Sequence, residues 1–349
     1  MRFPHLTLIK TVSLLLVIFA HGLLPFVFRN PFWQVYADTP SPSADFAARI
    51  MGVTLIPSFI FASGFLLENT VSQRDPDFVS LLLSRAKRLL LPWFAVMLFW
   101  LVPVYVVFDI PVFLRPAETP FIQTLALGLQ GKFVDHLWFL LALFWASLFW
   151  MFSRPLLRRL PSWASLVYAL IAALCVECFG KGLTWYCLWE TGAPILYLFS
   201  GAYAFQHREK LDVVFLSRPI RAALCILVPM AILLPFAHKA FIISWTLGVL
   251  GILLFYLLGL VASKTIYPYL ERCPIYAYFE RNSFRYYLFH MPTPIVLFTA
   301  LASMPRLPAW PAIFLLFFLT LAVTTVLVRA SHALEAMLPQ ILARMRSYD

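Results

Sequence analysis

Ten stretches of this chain are apolar almost without interruption, and the polar residues gather in short clusters between them. They are 8–28, 50–67, 89–108, 133–152, 163–180, 187–205, 220–237, 241–262, 283–303 and 311–330. A half-buried strand alternates polar and apolar positions, whereas these runs are apolar on every face. They approach the roughly 20 residues that a helix needs to cross a bilayer. The pattern predicts an all-α, polytopic membrane helix bundle with about ten transmembrane helices. Connections are short and none reads as a separate soluble unit, so residues 1–349 are expected to form a single transmembrane domain. The two longest connections on the outer side of the predicted bundle are 29–49 and 109–132. The first carries Pro31, Pro40 and Pro42 with Trp33 and Tyr36 and is expected to lie at the interface. Both are placed to cover an entrance. The first apolar run follows Arg2 and Lys10 as a secretory leader would, yet it is long enough to span. Gly-Leu-Leu-Pro follows His21 in place of a small-residue cleavage site, so the run is expected to be retained as a helix.

Composition agrees. Hydrophobic residues make up 62% of the chain and charged residues 12%, against about 25% charged in a soluble domain. Lipid replaces the charged shell that a soluble core of this size requires. The net charge of +11 does not point to nucleic acid, because the basic residues sit in short groups between the apolar runs. With the N-terminus in the cytoplasm, 20 of the 27 Lys and Arg residues fall on the cytoplasmic side. That asymmetry predicts cytoplasmic N- and C-termini and a multi-pass protein of the cell inner (plasma) membrane. The five cysteines mostly lie within apolar runs. Cys175 and Cys178 form a C-x-x-C on a continuous hydrophobic stretch with no neighbouring metal ligand, so packing is the expected role and no metal is expected. A bridge from Cys178 to Cys187 across a short loop is compatible with their spacing. Oligomeric state is left open.

Ionisable groups inside membrane segments are costly and usually functional. His21 lies eleven residues beyond Lys10, about 16 Å deeper by helical rise and just past the midplane of a core about 30 Å thick. Burial there favours the neutral imidazole, the form able to take a proton from a hydroxyl. Bridging two helices by hydrogen bonds is the structural alternative for the same residue. Arg85-Ala86-Lys87-Arg88 stands at the inner mouth of the third stretch, and Arg85 and Arg88 share a helix face. Two guanidinium forks suit a phosphate; anchoring to anionic lipid would use the same residues. Ala62, Ser63 and Gly64 permit close helix approach. Asp135 and His136 open the fourth stretch, where they would pair, orient a substrate, or cap the helix. His290 follows Arg285 by about 7–8 Å of helical rise near the end of Asn282-Ser283-Phe284-Arg285-Tyr286-Tyr287-Leu288-Phe289-His290.

Singly these signals say little, but their order is specific. An early histidine is followed by P-x-F-x-x-x-S-G-F-L from Pro57, R-x-x-R-L-L-L-P from Arg85, L-W-F-L around Trp138, and S-x-x-Y-Y-L-x-H-x-P from Ser283 through His290. The set resembles the membrane-bound acyltransferase-3 family over nearly the whole chain. Members transfer acyl groups, commonly acetyl from acetyl-CoA, onto extracytoplasmic sugars, glycans or lipids. The resemblance implies that His21 matches the family's essential first-span histidine, and that Arg85 and Arg88, with Lys87 beside them, engage an acyl-CoA co-substrate. It further implies an extracytoplasmic glycan or glycolipid acceptor. From their positions, Asp135, His136, Trp138, Ser283 and His290 are candidates to contact or orient a substrate. Glu177 or Glu190 would orient the His21 imidazole. The chain departs from the family pattern in two ways. Leu8-Ile9-Lys10-Thr11-Val12 lacks the Arg-Gly that often precedes the histidine segment, and no fused hydrolase-like domain is present, so the membrane domain or a partner is expected to complete the transfer. A transporter or flippase for a sugar or lipid is the rival reading. Polar groups inside ten spans suit transport, although corresponding Gly/Pro-broken spans and an internal repeat are missing. A non-catalytic scaffold for glycan synthesis is the third.

Overall fold

A computed structural model describes residues 3–28, 40–110, 118–132, 135–183, 185–237, 239–301 and 307–346, and side chains within these except that of Asp135 and those beyond Met337. The helices in chain order are α1 (Pro4–Leu23), α2 (Pro42–Arg74), α3 (Phe78–Val96), α4 (Val102–Val107), α5 (Phe121–Leu129), α6 (Trp138–Leu157), α7 (Ser162–Phe179) and α8 (Gly192–Gln206). They continue with α9 (Arg208–Ser217), α10 (Pro219–Leu233), α11 (Phe241–Thr265), α12 (Tyr267–Leu270), α13 (Pro274–Phe289), α14 (Thr293–Leu301) and α15 (Ala309–Arg346). No strand occurs among the described residues.

The fold is an all-α membrane helix bundle. Among the described residues, eight helices are long and apolar enough to cross a membrane. Helices occupy all ten predicted stretches, but not every stretch is a single α-helix. The stretch 187–205 begins with short 3-10 turns and becomes α8 only at Gly192. The stretch 283–303 is split into α13 and α14, because Pro292 cannot donate the hydrogen bond that would continue the helix. Within the connection 29–49, residues 29–39, with Pro31, Trp33 and Tyr36, lie outside the described residues, and α2 already starts at Pro42. Within 109–132, residues 111–117 are likewise outside, and 121–129 form α5.

Local chemistry sets the helix ends. Proline stands in the first turn of α1 and α2, where a missing N–H costs nothing, and the Ser41 side chain accepts from Ala44 N. Asp75 closes α2 with a left-handed φ of 37°, and Asp77 reopens the chain as α3 by accepting from Ser80 N at 3.0 Å. The Ser80 hydrogen bonds hold the Asp77 carboxyl below its ordinary range. A π-helical turn, Met97–Leu101, joins α3 to α4.

The closest packing is between α2 and α8. A Cβ placed on Gly64 would lie 2.0 Å from Leu198 O, and one placed on Gly201 would lie 2.0 Å from Phe61 O. The two backbones therefore touch through a reciprocal pair of glycines, the close approach that small residues allow in lipid. Helix α1 is central, packed by α2, α11, α13 and α15, whereas α7 and α10 lie at the periphery. At the end of the bundle nearest Lys10, buried Glu68 accepts from Ser72 and Gln206, and Asp75 takes ion pairs from Arg154 and Arg158. The five cysteines are free, with Cys187 buried and Cys178 exposed, so Cys178 and Cys187 are not bridged.

Candidate active site

Three imidazoles meet at the far end of α1. The His21 ring lies 4.9 Å from that of His290, and His290 lies 4.8 Å from His136, with interplanar angles of 64° and 70°. Three separate elements deliver them. His21 stands in the last turn of α1, His290 caps α13 just before the proline break, and His136 sits in the 3-10 turn Asp135–Leu137 that precedes α6. His290 and His136 are buried, at 0% and 5% exposure, and His21 is half-buried.

Each ring gives one N–H to a backbone carbonyl. His21 Nδ1 donates to Val17 O at 2.8 Å, His290 Nδ1 to Tyr287 O at 2.8 Å, and His136 Nε2 to Leu288 O at 3.2 Å, with tautomers assigned from these partners. The lone pairs are thereby placed on Nε2 of His21, Nε2 of His290 and Nδ1 of His136. The last two nitrogens are buried and have no hydrogen-bond partner. Such a pair of acceptors is suited to receive hydroxyl donors from a ligand.

Other contacts fix the rings in place. Tyr287 donates its hydroxyl to His136 O, and its ring packs against His136, His290 and Phe139. Trp100, in the π-turn, donates Nε1–H to Met291 O at 2.6 Å and so satisfies a carbonyl freed by the helix break. Neither Tyr287 nor Trp100 stands out in the sequence, because an aromatic residue in an apolar run carries no local mark of its role.

The basic motif lies at the opposite end. Arg85 is half-buried, while Lys87 and Arg88 are exposed and line an open cleft with Ser80, Leu83 and Ser84. The two arginines interact electrostatically, and Lys10 of α1 is within electrostatic reach of Arg88 and of Glu280 on α13. Lys10 and Glu280 thus meet at one level, and His21 and His290 at another. Helices α1 and α13 therefore run parallel, separating the basic cleft from the histidines by about 16 Å of helical rise.

The remaining candidates are more scattered. Ser283 is buried on α13, two turns before His290, and half-buried Trp138 opens α6 beside Phe139. Glu177 is half-buried on α7, and Glu190 is exposed in the turn Trp189–Thr191; both elements pack against α6 and α8. Among the described residues, no hydrogen bond, ion pair or ring contact joins either glutamate to His21. The side chain of Asp135 lies outside the described residues. No group of three His, Cys, Asp or Glu side chains among the described residues is arranged to hold a metal ion.

No curated protein and no solved structure matches the chain. The acyltransferase-3 family model, described as an acyltransferase domain, matches residues 3–329, a span that takes in His21, Arg85, Arg88, His136 and His290. The chain belongs to the acyltransferase-3 family and is a multi-pass membrane acyltransferase.

Proposed function

We propose that this protein moves an acyl group, acetyl by preference, from a cytoplasmic acyl-CoA to a hydroxyl of an extracytoplasmic sugar, glycan or glycolipid. The chain works as one transmembrane unit in the inner membrane with both termini in the cytoplasm. Arg88 and Lys87, in the open cleft, and Arg85 beside them bind the donor phosphates. The thioester end of the donor reaches the histidines, and the acceptor alcohol arrives from the opposite side.

His21 is the general base. Its Nε2 lone pair takes the proton as the alcohol oxygen attacks the thioester carbonyl. The tetrahedral intermediate collapses with cleavage of the C–S bond, and the departing sulfur receives the proton back from His21. Ester and free thiol are the products, with no other reactant consumed. His136 and His290 accept hydrogen bonds from the acceptor's hydroxyls, and Ser283 and Trp138 border the approach.

One observation carries the reading. The first-helix histidine, its Nδ1–H held by Val17 O, stands against His290, with the basic cleft at the other end of the same helix. Membrane vesicles supplied with radiolabelled acetyl-CoA test it. Label should appear in a glycan or glycolipid fraction in the presence of the protein and be absent from vesicles that lack it. No transfer to any such fraction would sink the proposal and favour export of an unmodified sugar or lipid.

A further inference from the structure

A second cavity lies apart from both the basic cleft and the histidines. Glu68 of α2, Trp150 and Arg154 of α6, Ser162 of α7 and Gln206 of α8 wall it. Its volume is about 260 Å³, many times the roughly 10–15 Å³ that admits one water. It stands at the end of the bundle nearest Lys10, since Phe65, just before Glu68, packs against Phe3 at the start of α1.

The cavity holds opposite charges that do not pair with each other. Glu68 is 6% exposed, and its hydrogen bonds from Ser72 and Gln206 both fall on Oε1, which leaves Oε2 for a ligand. Among the described residues Glu68 makes no ion pair, and a buried carboxylate without a cation is costly. Arg154 is within electrostatic reach of it but turns to Asp75, its guanidinium 5.5 Å from the Trp150 ring. Arg154 Nη1 and Arg158 Nη2 converge on one oxygen, Asp75 Oδ1, at 3.7 and 3.1 Å. That carboxylate is 78% exposed, so water screens it and the ion pairs contribute little. The same two guanidinium forks suit a phosphate, which accepts from both at once.

The rim is apolar. Leu157 and Leu160 line it, Leu160 is 45% exposed, and Trp163, next to Ser162, is 61% exposed. Exposed side chains of this kind in a membrane bundle face acyl chains, and tryptophan settles at the level of the headgroups. The opening therefore lies where lipid phosphates lie.

We propose that this cavity seats the headgroup of a phospholipid carrying a primary ammonium, of the phosphatidylethanolamine class. The ammonium donates to Glu68 Oε2, and the phosphate accepts from Arg154 and Arg158 in place of Asp75. Each half of the headgroup thus meets a charge that the fold leaves poorly paired, while the acyl chains run over Leu160 into the bilayer. An anionic headgroup without an amine leaves Glu68 without its cation. A quaternary ammonium has no N–H to donate.

The test is the melting temperature of the full chain in detergent, titrated with dioleoyl phosphatidylethanolamine, phosphatidylglycerol or phosphatidylcholine. Phosphatidylethanolamine should stabilise the protein saturably. The other two should need at least about tenfold more lipid for the same shift, the loss expected for one hydrogen bond between charged groups. Glu68→Gln keeps an acceptor for Ser72 and Gln206 and should remove the preference for phosphatidylethanolamine over phosphatidylglycerol. Asp75→Asn frees the two guanidiniums and should lower the half-saturating phosphatidylethanolamine several-fold. Equal stabilisation by the three lipids, or a preference retained in Glu68→Gln, would overturn the proposal. So would free O-phosphoethanolamine that half-saturates at a concentration as low as the lipid, which would make the ligand a soluble one. Should Glu68→Gln fail to fold, an unchanged half-saturation in Asp75→Asn overturns it alone.

Discussion

The imidazole of His21 stands 4.9 Å from that of His290, ring centroid to ring centroid, although the two residues lie near opposite ends of the chain. Their meeting sets the register of α1 against α13, since it occurs at the end where α13 breaks while Lys10 faces Glu280 at the other. The pair therefore marks one end of α1, whose other end lies beside basic residues.

His21→Ala should abolish acyl transfer. A positioned general base contributes about 10²–10⁴-fold, so the transfer rate should fall at least about 10²-fold. Protein level in the membrane should stay near wild type, because α1 is held chiefly by its packing against α2, α11, α13 and α15. Vesicle labelling matched for protein amount measures this. Retained activity would remove His21 from the chemistry.

Arg88→Gln should raise the apparent KM for acetyl-CoA while leaving kcat within a few-fold, because Arg88 lines the open cleft, far from the histidines. A guanidinium–phosphate hydrogen bond contributes about 1.5–3 kcal/mol, which corresponds to a rise of about 10–150-fold. Titration of the donor in the vesicle assay decides it, and an unchanged KM would leave the arginine as a lipid anchor.

Trp100→Phe should act through position. It removes the N–H that satisfies Met291 O beside the helix break and leaves that carbonyl without its donor. The cost to stability is about 1–3 kcal/mol, visible as a lower melting temperature in detergent. Turnover should fall as His290 shifts, with the donor KM unchanged. A variant with normal melting and normal kcat would show that the break needs no such support.

Gly64→Ala and Gly201→Ala should each destabilise the bundle, because each new Cβ would fall 2.0 Å from a backbone oxygen of the facing helix. Overpacking of this kind costs typically about 1–3 kcal/mol. Both changes wedge the same α2–α8 crossing, so the double variant should lose less than the sum of the two. Thermal unfolding of the two single variants and the double measures the coupling, and full additivity would mean that the crossing does not move as one unit.

The all-α membrane class was readable from the chain because lipid forces every spanning segment to satisfy its own backbone hydrogen bonds, and that demand writes long apolar runs into the sequence. The same rule marks His21, Arg85 and Arg88 as exceptional, since a charge or imidazole in or beside such a run needs a reason to be there. The ordered motifs then pointed to the family. What the sequence leaves undetermined is company. Nothing local to His21, His136 or His290 says that their rings would share one site, because helix packing across the bundle brings them together and no short-range spacing records it. The meeting of Trp100 with Met291 O and the close crossing of α2 with α8 are likewise tertiary decisions. Each turns on which side of a helix meets which neighbour, and a run that is apolar on all sides leaves that choice open.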